Sequence, residues 1–504
     1  MIIPAAGAAR RPALVLLLCC SSVLLVLLDV TVVTVALPSI GTDLAADVSD
    51  LQWTVDAYTL VVAALLLAAG ATADRIGRRR VFRTGLVVFA LGSLLCSLAW
   101  DVGSLLAFRM VQAVGGSMLV PVALSIVTTT FPEPRERARA LGLWGATFGV
   151  SLALGPPVGG LLTHAVDWRA VFWVNVPIAL LVAVVAGGVA GARNERRAGS
   201  DHGRHPIVPE SRAPRPRRID VPGQLLLAVG VAGLVAALIE GPDLGWSSPV
   251  TLALLGVAVL ALASLVPVEL HRREPVLDPR FFRSVPFSSA IVAAVGAFAA
   301  FGAFLLVGSL LLQAARGLTP AQAGLCLLPT AATVCLGAPL SGRLLAQGRG
   351  TRSPLLLAGT STAAGGLLLW WCSGPDVPLW PLLVAFALVG LGFGMVNAPI
   401  TTTAVSGMPA AQAGAAAGLA ATGRQVGTAL GVAVAGSLTG TTGRDVAAVG
   451  AGFADAAGPV WLTLVGLGLL IGAAALLSTT ARARRSAGSV RSLLDGPDAH
   501  PAGA

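Results

Sequence analysis

The chain has 504 residues, 55% of them hydrophobic and only 12% charged, with a mean hydropathy of +0.83. Soluble domains average about 25% charged residues, so the composition excludes a soluble protein and fits a polytopic membrane protein. A net charge of +10 would also suit a nucleic-acid partner, but the placement of the basic residues assigns it to topology instead.

Apolar runs long enough to cross a bilayer core of about 30 Å as helices recur from end to end. Breaks at charged, proline and glycine clusters predict fourteen transmembrane helices. They run over 13–38, 51–72, 81–100, 102–128, 139–163, 168–190, 220–240, 248–270, 285–314, 320–346, 353–373, 378–400, 414–438 and 458–480. Arg10 and Arg11 precede the first run as they would in a signal peptide. That run extends over about 26 residues with no small-residue cleavage site after it, so it reads as an uncleaved first helix. The longest polar segment, 193–219, is rich in Arg, Pro and Ser, has no apolar period, and reads as a flexible cytoplasmic linker. The expected organisation is an N-terminal six-helix bundle (1–192), the linker, two inserted helices (220–270), a C-terminal six-helix bundle (285–480) and a cytoplasmic tail (481–504).

All 34 basic residues are arginine. With the N-terminus in the cytoplasm, alternation puts 29 of them on the cytoplasmic side and three outside: Arg169, Arg316 and Arg444. Arg109 and Arg424 lie within helices. This bias is the positive-inside signal; it predicts both termini in the cytoplasm and a cytoplasmic-membrane location, with no nucleic-acid partner. Lipid or nucleic-acid binding by the arginines of 193–219 is a competing reading of that segment.

Cys19, Cys20, Cys96, Cys326, Cys335 and Cys372 all fall in apolar runs without metal-ligand spacing. No nucleophile–base set, phosphate loop or metal cluster is visible, so the expectation is a non-enzyme without metal or cofactor.

The two halves are related. GLWGATFGVSLALGPPVGG (142–160) aligns with GLAATGRQVGTALGVAVAG (418–436) at an offset of 276, and AFRMV (107–111) pairs with AFALV (385–389). The fifth helix thus corresponds to the thirteenth and the fourth to the twelfth, as in two six-helix repeats with helices seven and eight inserted between them. Parallel repeats of this kind mark secondary transporters whose halves rock about a site near the midplane.

Four stretches carry a family resemblance. GATADRIGRRRVF (70–82) resembles the signature loop of the major facilitator superfamily, with Gly70, Asp74, Arg75, Gly77, Arg78 and Arg79 at the family's positions. A bare topology anchor would need the arginines but neither the acid nor the glycines. Thr72 stands where the family has an apolar residue, and GRLLAQGRGTR (342–352) is a degraded copy lacking the acid. RMVQAVGG (109–116) resembles the fourth-helix motif whose buried arginine takes part in proton coupling; Arg109 and Gln112 are in place and Ala113 replaces a customary glycine. GVSLALGPPVGG (149–160) resembles the fifth-helix antiporter motif, with Gly155, Pro156, Gly159 and Gly160. Such glycines permit close helix approach and the proline removes a backbone hydrogen bond, so packing alone is the other reading. LDVTVVTVALP (28–38) and DWRAVFWVNVPIA (167–179) resemble signatures of the fourteen-helix drug:proton antiporter branch, which includes bacterial multidrug and antibiotic-resistance exporters. The resemblance spans the whole chain. It implies an all-α major facilitator fold with fourteen transmembrane helices: two six-helix bundles plus two inserted central helices.

Asp29 interrupts the first apolar run, where a charge costs at least ~2.5–3.5 kcal/mol. At 1.5 Å per residue, Asp29, Asp56 and Arg109 lie ~13, ~8 and ~10 Å below the outer ends of their helices. All three belong to the first repeat, and Ala387 occupies the place of Arg109 in the second. They are the expected proton-coupling residues. Asp29 would take a proton from the outer side and lose it to a competing drug, with Arg109 near it in one state only. The bland alternatives are a neutral, hydrogen-bonded Asp29 and an interfacial Asp56 beside Trp53 and Tyr58. The expected gate pairs Asp74, with Arg78 or Arg79, against the first turn of the thirteenth helix in the outward-open state, the second helix approaching through Gly70. Candidate cavity residues are Trp144, Phe148, Asn175, Phe298, Phe301 and Phe304, with core packing as the alternative for the three regularly spaced phenylalanines.

The expected function is a proton-coupled antiporter that exports hydrophobic, often cationic, drugs or antibiotics by alternating access. Its expected partners are small hydrophobic drugs, protons and the lipid bilayer, and a monomer is expected. The competing readings are a dedicated exporter of one endogenous metabolite or self-made antibiotic, and a proton-coupled importer, which the antiporter motif disfavours.

Overall fold

A computed structural model of the chain describes residues 12–187, 207–212, 220–272, 277–374, 377–409, 412–439 and 452–495, without the side chains at 134, 135, 138, 145, 146, 148, 152 and 153. The architecture is helical throughout, and each of the fourteen predicted transmembrane helices is present. In the N-terminal half these are α1 (Pro12–Leu44), α2 (Val48–Ile76), α3 (Arg78–Ser97), α4 (Val102–Thr130), α5 (Pro134–Ala165) and α6 (Ala170–Gly187). The inserted pair is α7 (Val221–Leu244) and α8 (Pro249–Leu270). The C-terminal half has α9 (Val285–Ala315), α10 (Pro320–Ala346), α11 (Arg352–Cys372), α12 (Leu379–Val405), α13 (Ala413–Thr439) and α14 (Phe453–Ser478). Thirteen of these are long and apolar enough to cross a membrane. The exception is α13, which has the length but carries Arg424 and Gln425 at its centre. A further helix, α15 (Ala481–Asp495), follows in the tail.

Local signals set the helix starts. Asp47 caps α2 in a capping box with Asp50, Asp101 caps α4 with Ser104, and Thr319 caps α10 with Gln322; each satisfies N–H groups that the first turn leaves unpaired. The Ser104 N–H bound to Asp101 holds that carboxyl below the usual carboxylate range.

The packing obeys the repeat. In the N-terminal half α3 packs on α4 and α6, and α2 packs on α4; in the C-terminal half α11 packs on α12 and α14, and α10 packs on α12. α5 packs against α1 of its own half and α10 of the other, and its counterpart α13 packs against α9 of its own half and α2 of the other. The inserted helices pack on each other, and α7 lies against α2 and α13, covering the outside of that seam. Two side chains fasten it: Trp53 Nε1 donates to Glu240 Oε1 at 2.7 Å, and Ser49 Oγ donates to Asp243 Oδ2 at 2.9 Å.

The two ends of the bundle differ. Trp100, Trp173, Trp246, Trp370, Trp371 and Trp380 are all exposed, and all lie at the end reached by the α3–α4, α5–α6, α7–α8 and α11–α12 connections. Exposed tryptophans of this kind mark a membrane–water boundary. The arginine-rich connections lie at the opposite end. There the segment 193–219 departs from the flexible reading over its described part: Val208 is fully buried, its N–H donates to the Ala186 carbonyl, and Arg78 N–H donates to the Ser211 carbonyl. Two apolar residues, Ile207 and Val208, and an acid, Glu210, anchor this stretch near the α2–α3 connection. In the tail, α15 packs against α9, with Ser486 Oγ accepting the Val285 N–H at 3.0 Å.

Candidate functional site

A dry polar cluster sits inside the N-terminal bundle. Arg109 and Gln112 are three residues apart on α4 and therefore share a face. Arg109 donates from Nη1 to Asp29 Oδ2 at 2.6 Å and to Gln112 Oε1 at 2.7 Å, and from Nε to the Thr54 carbonyl at 3.2 Å. Its guanidinium lies over the Tyr58 ring, 4.4 Å from the centroid, which adds a cation–π attraction. The second oxygen of Asp29 accepts from Gln112 Nε2 and from Asn175 Nδ2, both at 2.8 Å. Gln112 Nε2 also reaches Ser93 Oγ at 2.8 Å. Asp29 is 0% and Arg109 1% exposed. Charges this far from water persist only when paired and hydrogen-bonded, and here α1, α2, α3, α4 and α6 each supply a partner.

Asp29 and Arg109 thus meet as the sequence led us to expect. Asp56 is fully buried rather than interfacial, and neither of its oxygens has a hydrogen-bond partner among the described residues. Asn175 is fully buried, and its amide orients Asp29. Phe304 is also buried, edge-on to Phe386 in the core of the C-terminal half. Phe301 stacks on Phe393 at 3.9 Å, and Phe298, half-buried, meets the same ring edge-on at 4.8 Å. Trp144 is half-buried against the N-terminal core, and the Phe148 side chain lies outside the described residues. A void of about 10 Å³, lined by Thr31, Pro156, Phe301 and Thr330 among others, has room for about one water.

The antiporter motif holds α5 against both halves. A Cβ at Gly155 would strike Thr31, at Gly159 it would press on Val32, and at Gly160 it would strike the Pro320 carbonyl. Thr31 and Val32 follow Asp29 on α1, so α5 grips the helix that carries the buried acid. Pro156 meets α10 across Gly324.

At the signature loop, Asp74 pairs with Arg78 at 2.9 Å. Arg79 turns instead to Glu210, which accepts its backbone N–H at 3.1 Å and lies 3.6 Å from its Nε; Arg80 lies 3.7 Å from the same carboxylate. Gly77 has φ +120°, and Glu210 occupies the place a Cβ there would take. Arg75 is exposed. Gly70 does not bring α2 to α13, because it faces Pro121 of α4. The close approach to α13 is made by Leu67 at Gly418 and by Gln52 at Gly436. No hydrogen bond or ion pair joins Asp74 to α13 among the described residues.

The halves are pressed together at the tryptophan end. Gln52 Nε2 donates to the Val432 and Ala433 carbonyls at 2.9 and 3.0 Å, and Gln313 Nε2 donates to the Val35 carbonyl at 2.9 Å. Among the described residues, these hydrogen bonds between the two halves lie toward the tryptophan end.

Comparison with known proteins agrees with this geometry. The family model described as Major Facilitator Superfamily matches residues 19–432. The chain is 35% identical over 394 residues to the multidrug resistance protein Stp of Mycobacterium tuberculosis, covering 78% of this chain and 70% of that protein. It is 37% identical to the tetracenomycin C resistance and export protein of Streptomyces glaucescens (82% and 74% covered), and 35% identical to the cephamycin export protein CmcT of Amycolatopsis lactamdurans (86% of each). Among solved structures it resembles a POT family transporter in complex with 5-aminolevulinic acid, with a TM-score of 0.63 at 15% identity over 92% of this chain and 96% of that one, a likeness of fold alone. Fold, motifs and relatives agree that this chain belongs to the major facilitator superfamily.

Proposed function

We propose that the chain is a proton-coupled antiporter of the drug:proton branch. It exports hydrophobic drugs or antibiotics across the cytoplasmic membrane by alternating access, as a monomer, with the arginine-rich end in the cytoplasm. The carrying observation is the Asp29–Arg109 pair at 2.6 Å, with the two halves hydrogen-bonded to each other toward the tryptophan end. In this reading cargo enters from the arginine-rich, cytoplasmic side while Arg109 engages Asp29. Opening the outer end would part α1 from α4, wet Asp29 and let it take a proton as the cargo leaves. Closure would return Arg109 and expel the proton inward. No chemical conversion of the cargo and no cofactor enters the scheme; the proton gradient drives it.

The relatives named for export of, or resistance to, drugs and antibiotics support the cargo class. Two of those names carry a single antibiotic or antibiotic class, which favours a second reading as a dedicated exporter. A susceptibility panel in an efflux-deficient host separates the two. Resistance to several unrelated compounds supports a multidrug exporter, resistance to one supports dedicated export, and resistance to none contradicts both.

A further inference from the structure

Four charged side chains lie in the middle of the membrane helices: Asp29, Asp56, Arg109 and Arg424. The first three are sealed, none more than 1% exposed. Arg424 is the exception, only half-buried. It lies eleven residues into α13, about 16 Å from the start of the helix at 1.5 Å per residue. Its surroundings are neutral. Among the described residues its hydrogen bonds reduce to a long one from Nη1 to Thr401 Oγ1 of α12, at 3.3 Å, and it makes no ion pair. The half-buried Phe298 ring of α9 lies 6.0 Å from its guanidinium carbon and is backed by the buried Phe393 and Phe301 rings.

An arginine at this depth is costly unless it faces a partner or a water-filled space. Arg109, the membrane-helix arginine of the other half, has an acid, an amide and a carbonyl. Arg424 has a hydroxyl and an aromatic ring, and its remaining N–H groups meet no acceptor among the described residues. Five donors in a planar fork match a carboxylate or sulfonate in two parallel hydrogen bonds.

We infer that Arg424 is the anion-recognising group of the cargo site: it takes an acidic group on an aromatic ligand whose ring lies against Phe298. This deepens the exporter reading and rests on it for the word cargo. It points away from cations, because Asp29 and Asp56 are both sealed inside the N-terminal half.

The test uses purified full-length protein in nanodiscs and two fluorescent probes that share one aromatic body. Anilinonaphthalene sulfonate carries the anion, and N-phenylnaphthylamine lacks it; signal from empty nanodiscs is subtracted. Arg424→Gln should weaken sulfonate binding at least about tenfold, the range for a lost hydrogen-bonded charge, and change binding of the neutral probe less than about twofold. Arg424→Lys should retain part of the sulfonate affinity. In the unaltered protein, naphthoate should displace the sulfonate probe and its carboxamide analogue should not, an arm that needs no variant to fold. Equal losses for both probes, an unchanged sulfonate affinity in Arg424→Gln, or equal displacement by naphthoate and its amide would overturn the assignment. Failure of the susceptibility panel removes the export reading and leaves this binding result standing, and the reverse also holds.

Discussion

At the scale of single residues, the buried pair dominates. Asp29→Asn leaves Arg109 charged, dry and facing a neutral amide. Removing one partner of such a pair costs ~3–5 kcal/mol, so the variant should fold but unfold at a lower temperature in detergent. Adding Arg109→Gln should recover part of that loss, because the stranded charge goes with it. Strictly additive effects among the four proteins would show that the two residues do not act as a pair. Asp56→Asn should behave differently. Its carboxyl meets no donor among the described residues, so removing the charge should leave the melting temperature unchanged or raise it, and a large drop would mean that Asp56 has a partner. Asp29 and Arg109 were legible in the sequence because a charge in an apolar run carries a cost that demands a reason. Their helpers were harder to read. Ser93, Tyr58 and Asn175 are neutral, and such residues occur in apolar helices without any pattern; only Gln112, three positions after Arg109, shared a readable face.

At the scale of elements, α5 and the α2–α3 connection can be tested separately. Gly160→Val places a branched side chain against the Pro320 carbonyl. Overpacking of this kind costs ~1–3 kcal/mol, so thermal unfolding should move down and the seam between α5 and α10 should loosen. Unchanged stability would show that α5 and α10 part readily there. Glu210→Ala should release the docked stretch. Amide hydrogen exchange should rise over 207–212 and 77–80 with little change in the core of α4, and unaltered exchange would mean that Ile207, Val208 and the backbone hydrogen bonds hold the segment without Glu210. The antiporter glycines were readable because close packing needs small residues at fixed spacing. The docking of 207–212 was hidden, since an arginine- and proline-rich composition reads as flexible and two adjacent apolar residues give no period. Gly70 was misplaced for a related reason: a glycine shows that something comes close, without showing which helix.

At the scale of the whole molecule, the repeat offset of 276 residues foretold the pseudo-symmetric seams, α5 on α10 and α13 on α2. The fourteen helices were legible from hydropathy, except that α13 relies on its neighbours more than on its own apolarity. The placement of α7 and α8 outside the α2–α13 seam depends on Trp53–Glu240 and Ser49–Asp243, contacts about 190 positions apart in sequence that no local pattern encodes. The central claim is that the buried N-terminal acid couples proton entry to cargo exit. The direct measurement reconstitutes the unaltered protein and Asp29→Asn in liposomes and follows one transported drug under an imposed pH gradient and, separately, as exchange without a gradient. The account predicts that Asp29→Asn loses uphill transport driven by the gradient while exchange of drug for drug continues. Gradient-driven accumulation at the unaltered rate in Asp29→Asn would contradict it.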